Sequence, residues 1–333
     1  MKAPAFWYRP PGRAGLAPRL LAPLGRIGAA LTERRLAHGP RHRVGVPVIC
    51  VGNLTVGGTG KTPAVIALLE RLAARGVTAH VVTRGHGGSE RGPLRVDPGR
   101  HDARRVGDEA LLHAAFTPTW VARDRHRGAL AAVAAGAGAI VLDDGFQNPA
   151  LAHDLAIVVV DAARGFGNER VMPAGPLREP VERGLERADF LLVIGAPGER
   201  HRFLASQKGR ALPPVLEGAL EPVEMGIDWA GLPVFAFAGI GHPARFFATL
   251  ENLGARLVGT AALADHQPIS PALLRRLLKL ARAKGARLVT TEKDAARLPP
   301  GLRHEVLSLP VRLAFEAPAP LDAALARLFP GTG

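Results

Sequence analysis

This chain is short of cysteine, lysine and aromatic residues, and it has no long apolar run. Of its 333 residues one is cysteine, Cys50, so an intramolecular disulfide is excluded and a reducing compartment fits. Cys50 falls inside an apolar run and reads as a small buried side chain rather than a reactive one. The sixteen aromatic residues are not interleaved with basic clusters, so a stacking platform for nucleic acid is not expected. There is no cleavable signal layout, and no span of about 20 apolar residues that could cross a bilayer. One uncharged stretch, residues 128–142, has fifteen residues rich in alanine and glycine and reads as a helix end, a turn and a strand. Lysine is the scarcest cation: of 43 basic residues only Lys2, Lys61, Lys208, Lys279, Lys284 and Lys293 are lysine. A lysine kept at 61 against that preference suggests that a compact ammonium is wanted there.

What is present surrounds that lysine. The run Val48-Ile49-Cys50-Val51 leads into Gly52-Asn53-Leu54-Thr55-Val56-Gly57-Gly58-Thr59-Gly60-Lys61-Thr62, and a helical pattern follows. Strand, glycine-rich turn and helix in this order form a phosphate cradle, because glycine lets backbone N–H groups converge on an anion at a helix N-terminus. In such a loop the lysine reaches the β- and γ-phosphates and the threonine hydroxyl can ligate Mg²⁺. Pro63 tolerates the start of the helix and Gly76 follows its last turn. The common pattern has glycine five residues before Gly60, where this chain has Thr55. The formal net charge of +14 favours anionic partners.

Residues 1–43 carry nine Lys/Arg and a single acid, Glu33. Phe6-Trp7-Tyr8 precedes apolar residues at helical spacing, Leu16, Leu20, Leu21, Leu24, Ile27 and Leu31, among several arginines. This is the composition of a segment lying on an anionic membrane. Pro18 and Pro23 are expected to break it into short helical pieces.

Beyond the cradle, apolar runs alternate with helical segments: Ala79–Thr83, Ala139–Leu142, Ile157–Val160 and Phe190–Ile194. Continuous rather than alternating apolarity indicates parallel strands covered on both faces. The fold class is therefore α/β, a P-loop NTPase-like, doubly wound and mostly parallel sheet with ligands at the strand carboxyl ends. A less patterned stretch rich in Pro and Gly, 209–233, leads to a second α/β set with strands at Val234–Ala238 and Arg287–Thr291 and a helix over 271–283. The expected organisation is a basic segment 1–43, a P-loop domain 44–214 and a smaller α/β domain 215–333, with the site between them.

Several residues carry candidate chemistry. Asp143 and Asp144 close an apolar strand, where a carboxylate can hold Mg²⁺ beside the loop threonine. Asp108, in Gly107-Asp108-Glu109, reads locally as a helix cap. His266 is equally ambiguous alone, and the loop 173–180 presents Arg178 and Glu179 without a role readable from sequence.

These motifs together resemble the tetraacyldisaccharide 4′-kinase (lipid A 4′-kinase) family. The resemblance covers nearly the whole chain. It includes the 51–63 loop with Thr55 as the family's own form, Arg84-Gly85-His86-Gly87-Gly88, Gly107-Asp108-Glu109 and Asp143-Asp144-Gly145-Phe146-Gln147. It extends through the 173–180 loop, the 238–247 segment with Gly241-His242-Pro243, Ala264-Asp265-His266-Gln267 and Thr291-Glu292-Lys293-Asp294. The family resemblance implies two α/β domains and transfer of the γ-phosphate of ATP to the 4′-hydroxyl of a lipid-linked disaccharide 1-phosphate. It also implies Mg²⁺ and the cytoplasmic face of the inner membrane.

By the same resemblance Thr55, Gly57, Gly58, Thr59, Gly60, Lys61 and Thr62 cradle the nucleotide, with Thr62 also on the metal. Asp143 or Asp144 serves the metal, with Asp143 assigned there and Asp144 to the substrate. Asp108 is the base assisted by His266, with Lys61 completing the catalytic set. Arg178 and Glu179 line the nucleotide–metal side, Glu179 as a metal ligand, and Arg84, Arg123 and Gln147 line the lipid side. This chain has Asn148 where the family usually has histidine, and Ala110 where it has proline. The competing readings are a membrane-associated NTPase switch that transfers no phosphate to a lipid, and a soluble kinase for a small metabolite.

Overall fold

Residues 4–9, 15–264 and 267–331 are described by the computed structural model. Its strands are β1 (Val48–Gly52), β2 (Ala79–Thr83), β3 (Leu94–Arg95), β4 (Thr119–Val121), β5 (Ala139–Asp143), β6 (Leu155–Asp161), β7 (Phe190–Ile194), β8 (Val215–Pro222), β9 (Pro233–Ala238), β10 (Arg256–Ala262), β11 (Arg287–Thr291), β12 (Leu307–Leu309) and β13 (Val311–Phe315). Its helices are α1 (Ala17–His38), α2 (Lys61–Ala74), α3 (Ala103–Val106), α4 (Asp108–Ala114), α5 (Arg125–Ala134), α6 (Val181–Leu185), α7 (Pro197–Ser206), α8 (Pro243–Asn252), α9 (Pro271–Ala283), α10 (Glu292–Ala295) and α11 (Ala319–Leu328).

A nine-stranded sheet runs in the order β13-β8-β7-β6-β1-β5-β2-β4-β3. From β8 to β4 all pairings are parallel, and only the edge strands β13 and β3 are antiparallel. Every residue of β1, β2, β5, β6 and β7 is buried, which is why these strands read as unbroken apolar runs. One face packs on α2 through Val65, Leu68 and Leu72 and on α11 through Leu321 and Leu325. The other face packs on residues such as Ala129, Leu185 and Phe203 of α5, α6 and α7. β1 is central, and the chain leaves it for β2 by crossing over β5. A crevice opens at such a reversal, at the carboxyl ends of the strands.

The second sheet, β10-β9-β11-β12, is wholly parallel. α9 covers one face with Leu274, Leu277 and Leu278, and α8 the other with Phe246 and Leu250. Sheet membership divides the chain differently from a boundary at 215. β8 still belongs to the large sheet, and β13 returns to pair with it, Leu313 opposite Leu220. α11 then docks beside α2, where Asp322 accepts from Arg71 Nη1 at 2.7 Å. We propose that the large unit comprises residues 44–222 and 311–331, with 233–309 inserted as the small one.

The N-terminal segment departs from expectation in two ways. α1 is one continuous helix of 22 residues with Pro23 inside it, not a set of short pieces. Pro18 sits in the first turn, where no intrahelical donor is lost, and the helix tolerates the single missing bond at Pro23. Phe6-Trp7-Tyr8 is half-buried and tied to the protein: Asn168 N donates to Trp7 O at 2.7 Å and Trp7 Nε1 donates to Pro173 O at 3.1 Å. α1 itself presents Leu16, Leu20, Leu24, Ile27 and Leu31, each 56–79% exposed, as a single stripe. Its opposite face packs closely enough that a Cβ on Gly25 would lie 2.6 Å from Val171 O. No described helix is long and apolar enough to cross a membrane.

Candidate active site

The phosphate loop forms as its sequence dictates. α2 starts at Lys61 with Gly60 as its cap at φ +93°, and a Cβ on Gly60 would meet Ile194 Cδ1 at 2.8 Å. Glycine is required there both for the backbone and for the space. Lys61 and Thr62 thus occupy the first turn of α2, in the positive field of its N-terminus. Across the base of the loop Asn53 Nδ2 donates to Thr59 Oγ1 at 3.1 Å, both residues buried. Gly57 and Gly58 are exposed, whereas Thr55 is buried.

The 173–180 loop, which sequence left without a role, clamps this cradle. Val56 N donates to Pro176 O and Arg178 N donates to Leu54 O, each at 2.8 Å. The clamp delivers Arg178 to Asp144, Nη1 to Oδ1 at 2.8 Å. Lys61 Nζ lies 3.6 Å from the same Asp144 oxygen. Burial alone would raise the Asp144 carboxyl, but the cations of Lys61 and Arg178 outweigh it and hold it below the usual range. Asp144 follows β5 with a left-handed φ of +57°, and this turn aims it back at the loop.

Gln147 and Glu179 also meet. Gln147 Nε2 donates to Asn53 O and to Glu179 Oε1, each at 2.9 Å. Arg187, which sequence reasoning missed, pairs with Glu179 Oε2 at 2.8 Å. Arg35 of α1 donates to Gln147 O at 3.2 Å, so the N-terminal helix abuts the site. Asn148 makes a tight turn, its Oδ1 accepting from Ala150 N at 2.9 Å.

Asp143 ends β5 beside Val51 of β1 and is fully buried. His113 Nε2 lies 3.2 Å from its Oδ2. Its Oδ1 has no hydrogen-bond partner among the described residues. An orphaned buried carboxylate oxygen on the strand paired with β1, from which the loop emerges, is a hard donor suited to Mg²⁺. Among the described residues no three His, Cys, Asp or Glu side chains cluster tightly enough to hold an ion alone. Mg²⁺ is commonly bound by few carboxylates with water and substrate phosphates, so the residues fit that ion. Glu179 is already bonded by Arg187 and Gln147 and would join the set only by exchanging a partner.

Asp108 opens α4 and is buried. Its neighbour Glu109 receives Lys293 Nζ from the small unit at 3.0 Å. Burial would raise the Glu109 carboxyl, but Lys293 and Lys61 outweigh it and hold it well below the usual carboxylate range. His266 lies outside the described residues. Arg84 and Arg123 are exposed just beyond β2 and β4, at the same end of the sheet as Asp143. The small unit reaches the opposite side of the cleft as well. Arg245 Nη2 donates to Asp161 Oδ1 at 3.3 Å and Glu199 Oε2 at 3.0 Å, and Arg164 Nη2 donates to Gly241 O at 2.7 Å. His113 carried no signal in the sequence, where a lone histidine on a helix reads as core.

This cradle, with acids and cations converging from both sheets, has counterparts among known proteins. A family model described as "Tetraacyldisaccharide-1-P 4'-kinase" (LpxK) matches residues 17–329. A tetraacyldisaccharide 4'-kinase of Dinoroseobacter shibae is 61% identical over 99% of this chain and 98% of its own length. One from Jannaschia sp. is 59% identical over 98% of each. The crystal structure of LpxK from Aquifex aeolicus in complex with ATP superposes with a TM-score of 0.76 at 26% identity, covering 94% of this chain and 99% of its own. By sequence along nearly its whole length, and by fold, this chain belongs to the tetraacyldisaccharide-1-P 4'-kinase family.

Proposed function

We propose that this chain is an ATP-dependent kinase. It transfers the γ-phosphate to the 4′-hydroxyl of tetraacyldisaccharide 1-phosphate at the cytoplasmic face of the inner membrane. The observation that supports the reading is the convergence of Lys61 and Arg178 on Asp144 at the phosphate loop, with Lys61 close enough to α4 to act on Glu109, the neighbour of Asp108. Phosphoryl transfer asks the protein mainly for positioning and charge neutralisation. Residues 55–62 would cradle the triphosphate, with Lys61 moving from Asp144 to the β/γ oxygens. Thr62 and Asp143 would hold Mg²⁺, with Glu179 as a further ligand. The ion supplies neutralisation of charge across the phosphates.

Asp108 would accept the proton of the sugar hydroxyl as its oxygen bonds to the γ-phosphorus and the bridging oxygen leaves with ADP. His266 would assist it. Arg84, Arg123, Asp144 and Gln147 would meet the lipid headgroup, and the exposed arginines suit its 1-phosphate. The test is incubation with labelled ATP, Mg²⁺ and tetraacyldisaccharide 1-phosphate in detergent. A bisphosphorylated lipid is expected. ATP hydrolysis that neither needs nor labels the lipid would instead support the NTPase switch.

The stripe on α1 supplies the membrane contact. Each apolar side chain moved out of water contributes about 1.5–3 kcal/mol, and each nearby arginine about 1 kcal/mol at an anionic surface. Leu20→Glu with Leu24→Glu and Ile27→Glu is therefore expected to lower co-sedimentation with anionic vesicles by more than about tenfold. Wild-type binding should also weaken with salt. Unchanged partitioning of the triple variant would remove α1 as the contact.

A further inference from the structure

The small unit places a second cation against the site. Arg297 follows α10 and is nearly buried, its side chain 6% exposed. Its guanidinium is rooted on its own side of the cleft. Nη1 donates to Gln267 O and Nη2 to Gly239 O, each at 3.0 Å, and Nη2 also bonds the Asp294 carboxylate. Asp294 is fully buried and is itself fixed, accepting from Gly239 N at 2.9 Å and Thr291 Oγ1 at 2.8 Å. The third guanidinium nitrogen, Nε, has no hydrogen-bond partner among the described residues. It lies 3.6 Å from Asp108 Oδ2, on a carboxylate that is only 4% exposed.

We propose that Arg297 is a positioning residue for Asp108, supplied from the small unit so that apposition of the two sheets adds a fixed charge contact to the carboxylate. This rests on the reading of Asp108 as the base. Three acceptors immobilise the guanidinium, so its free edge is a fixed charge rather than a searching side chain. At 3.6 Å the contact is a charge contact, longer than a good hydrogen bond. It orients the carboxylate through charge, beside the bond that Glu109 N donates to Asp108 Oδ1 at 3.0 Å. A carboxylate beside a triphosphate also needs a local counter-charge, and Lys61 is engaged on the phosphate side. The neighbouring pair Lys293–Glu109 joins α10 itself to α4 and makes the apposition directional.

Arg297→Gln keeps amide donors for the Gly239 and Gln267 carbonyls and removes the charge. Its kcat is expected to fall about tenfold or more, with the KM for ATP and directly measured ATP binding unchanged. In an Asp108→Asn background the same change should add less than about twofold, because the residue acts through Asp108. A folded Arg297→Gln with wild-type kcat, or with the same fractional loss in both backgrounds, overturns the proposal. Wild-type turnover in Asp108→Asn alone would instead remove Asp108 as the base, a separate outcome that leaves Arg297 nothing to position. If melting curves show Arg297→Gln unfolded, Arg297→Lys decides the matter. It should keep kcat within about threefold, and a loss beyond about tenfold in that folded variant overturns the proposal.

Discussion

Lys61→Ala is expected to leave the fold intact and to lower phosphoryl transfer by at least about 10²–10³-fold. Lys61 is the first residue of α2, and its side chain is 10% exposed against Asp144. Removing it leaves Asp144 with Arg178 at 2.8 Å, so the local structure keeps a counter-charge. What is lost is the mobile cation at the mouth of the cradle. Arginine is not an equivalent replacement: its fork is planar and bulkier, and Gly60 already has no room beside Ile194. Lys61→Arg should therefore also be poor. Turnover with the lipid acceptor, measured beside circular dichroism, checks both. Near-wild-type rates in a folded Lys61→Ala protein would sink the assignment of the phosphate loop.

The second large effect is at Asp108. Asp108→Asn preserves shape and removes the proton acceptor, and a loss of about 10²–10⁴-fold in kcat is expected. An ordinary aspartate is a weak base for a sugar hydroxyl, so a partner that orients it or shares the proton would raise its effectiveness. His266 is proposed as that partner. The flanking residues Ala264 and Gln267 bond to each other, Ala264 N to Gln267 Oε1 at 3.0 Å, and Gln267 O accepts from Arg297. His266→Ala should thus lower kcat sharply, and the double variant should be little worse than the poorer single. If the two losses multiply, or if His266→Ala raises only the KM for the lipid, His266 binds substrate and does not serve the base.

Much of the architecture was readable because it is written in short-range signals. β7 and β11 have the bounds their apolar runs imply, and α9 spans residues 271–283 as its helical spacing requires. β8 and β13 were missed for a physical reason. They lie toward the sheet edge, are only partly buried, and so carry no continuous apolar run. α1 was misjudged because a proline rule that is sound for an isolated helix is overridden when the helix packs along its length.

The same division runs through the site. The amino-acid sequence by itself determined the cradle, since glycine's left-handed freedom at Gly60 and the helix start at Lys61 are properties of adjacent residues. It also determined the carboxylates at the end of β5, because two adjacent acids directly after an apolar run mark the carboxyl end of a strand. Only the tertiary structure decided the partners: Arg178 for Asp144, His113 for Asp143, Arg187 for Glu179, and Lys293 with Arg297 for the start of α4. These pairs join residues from 8 to 189 positions apart, taking Arg187 with Glu179 and Arg297 with Asp108 as the extremes. Charge pairing has no periodicity along a chain, so nothing in local pattern selects one arginine among many. The sheet order does, by bringing the carboxyl ends of β1, β5 and β6 together and folding the small unit over them.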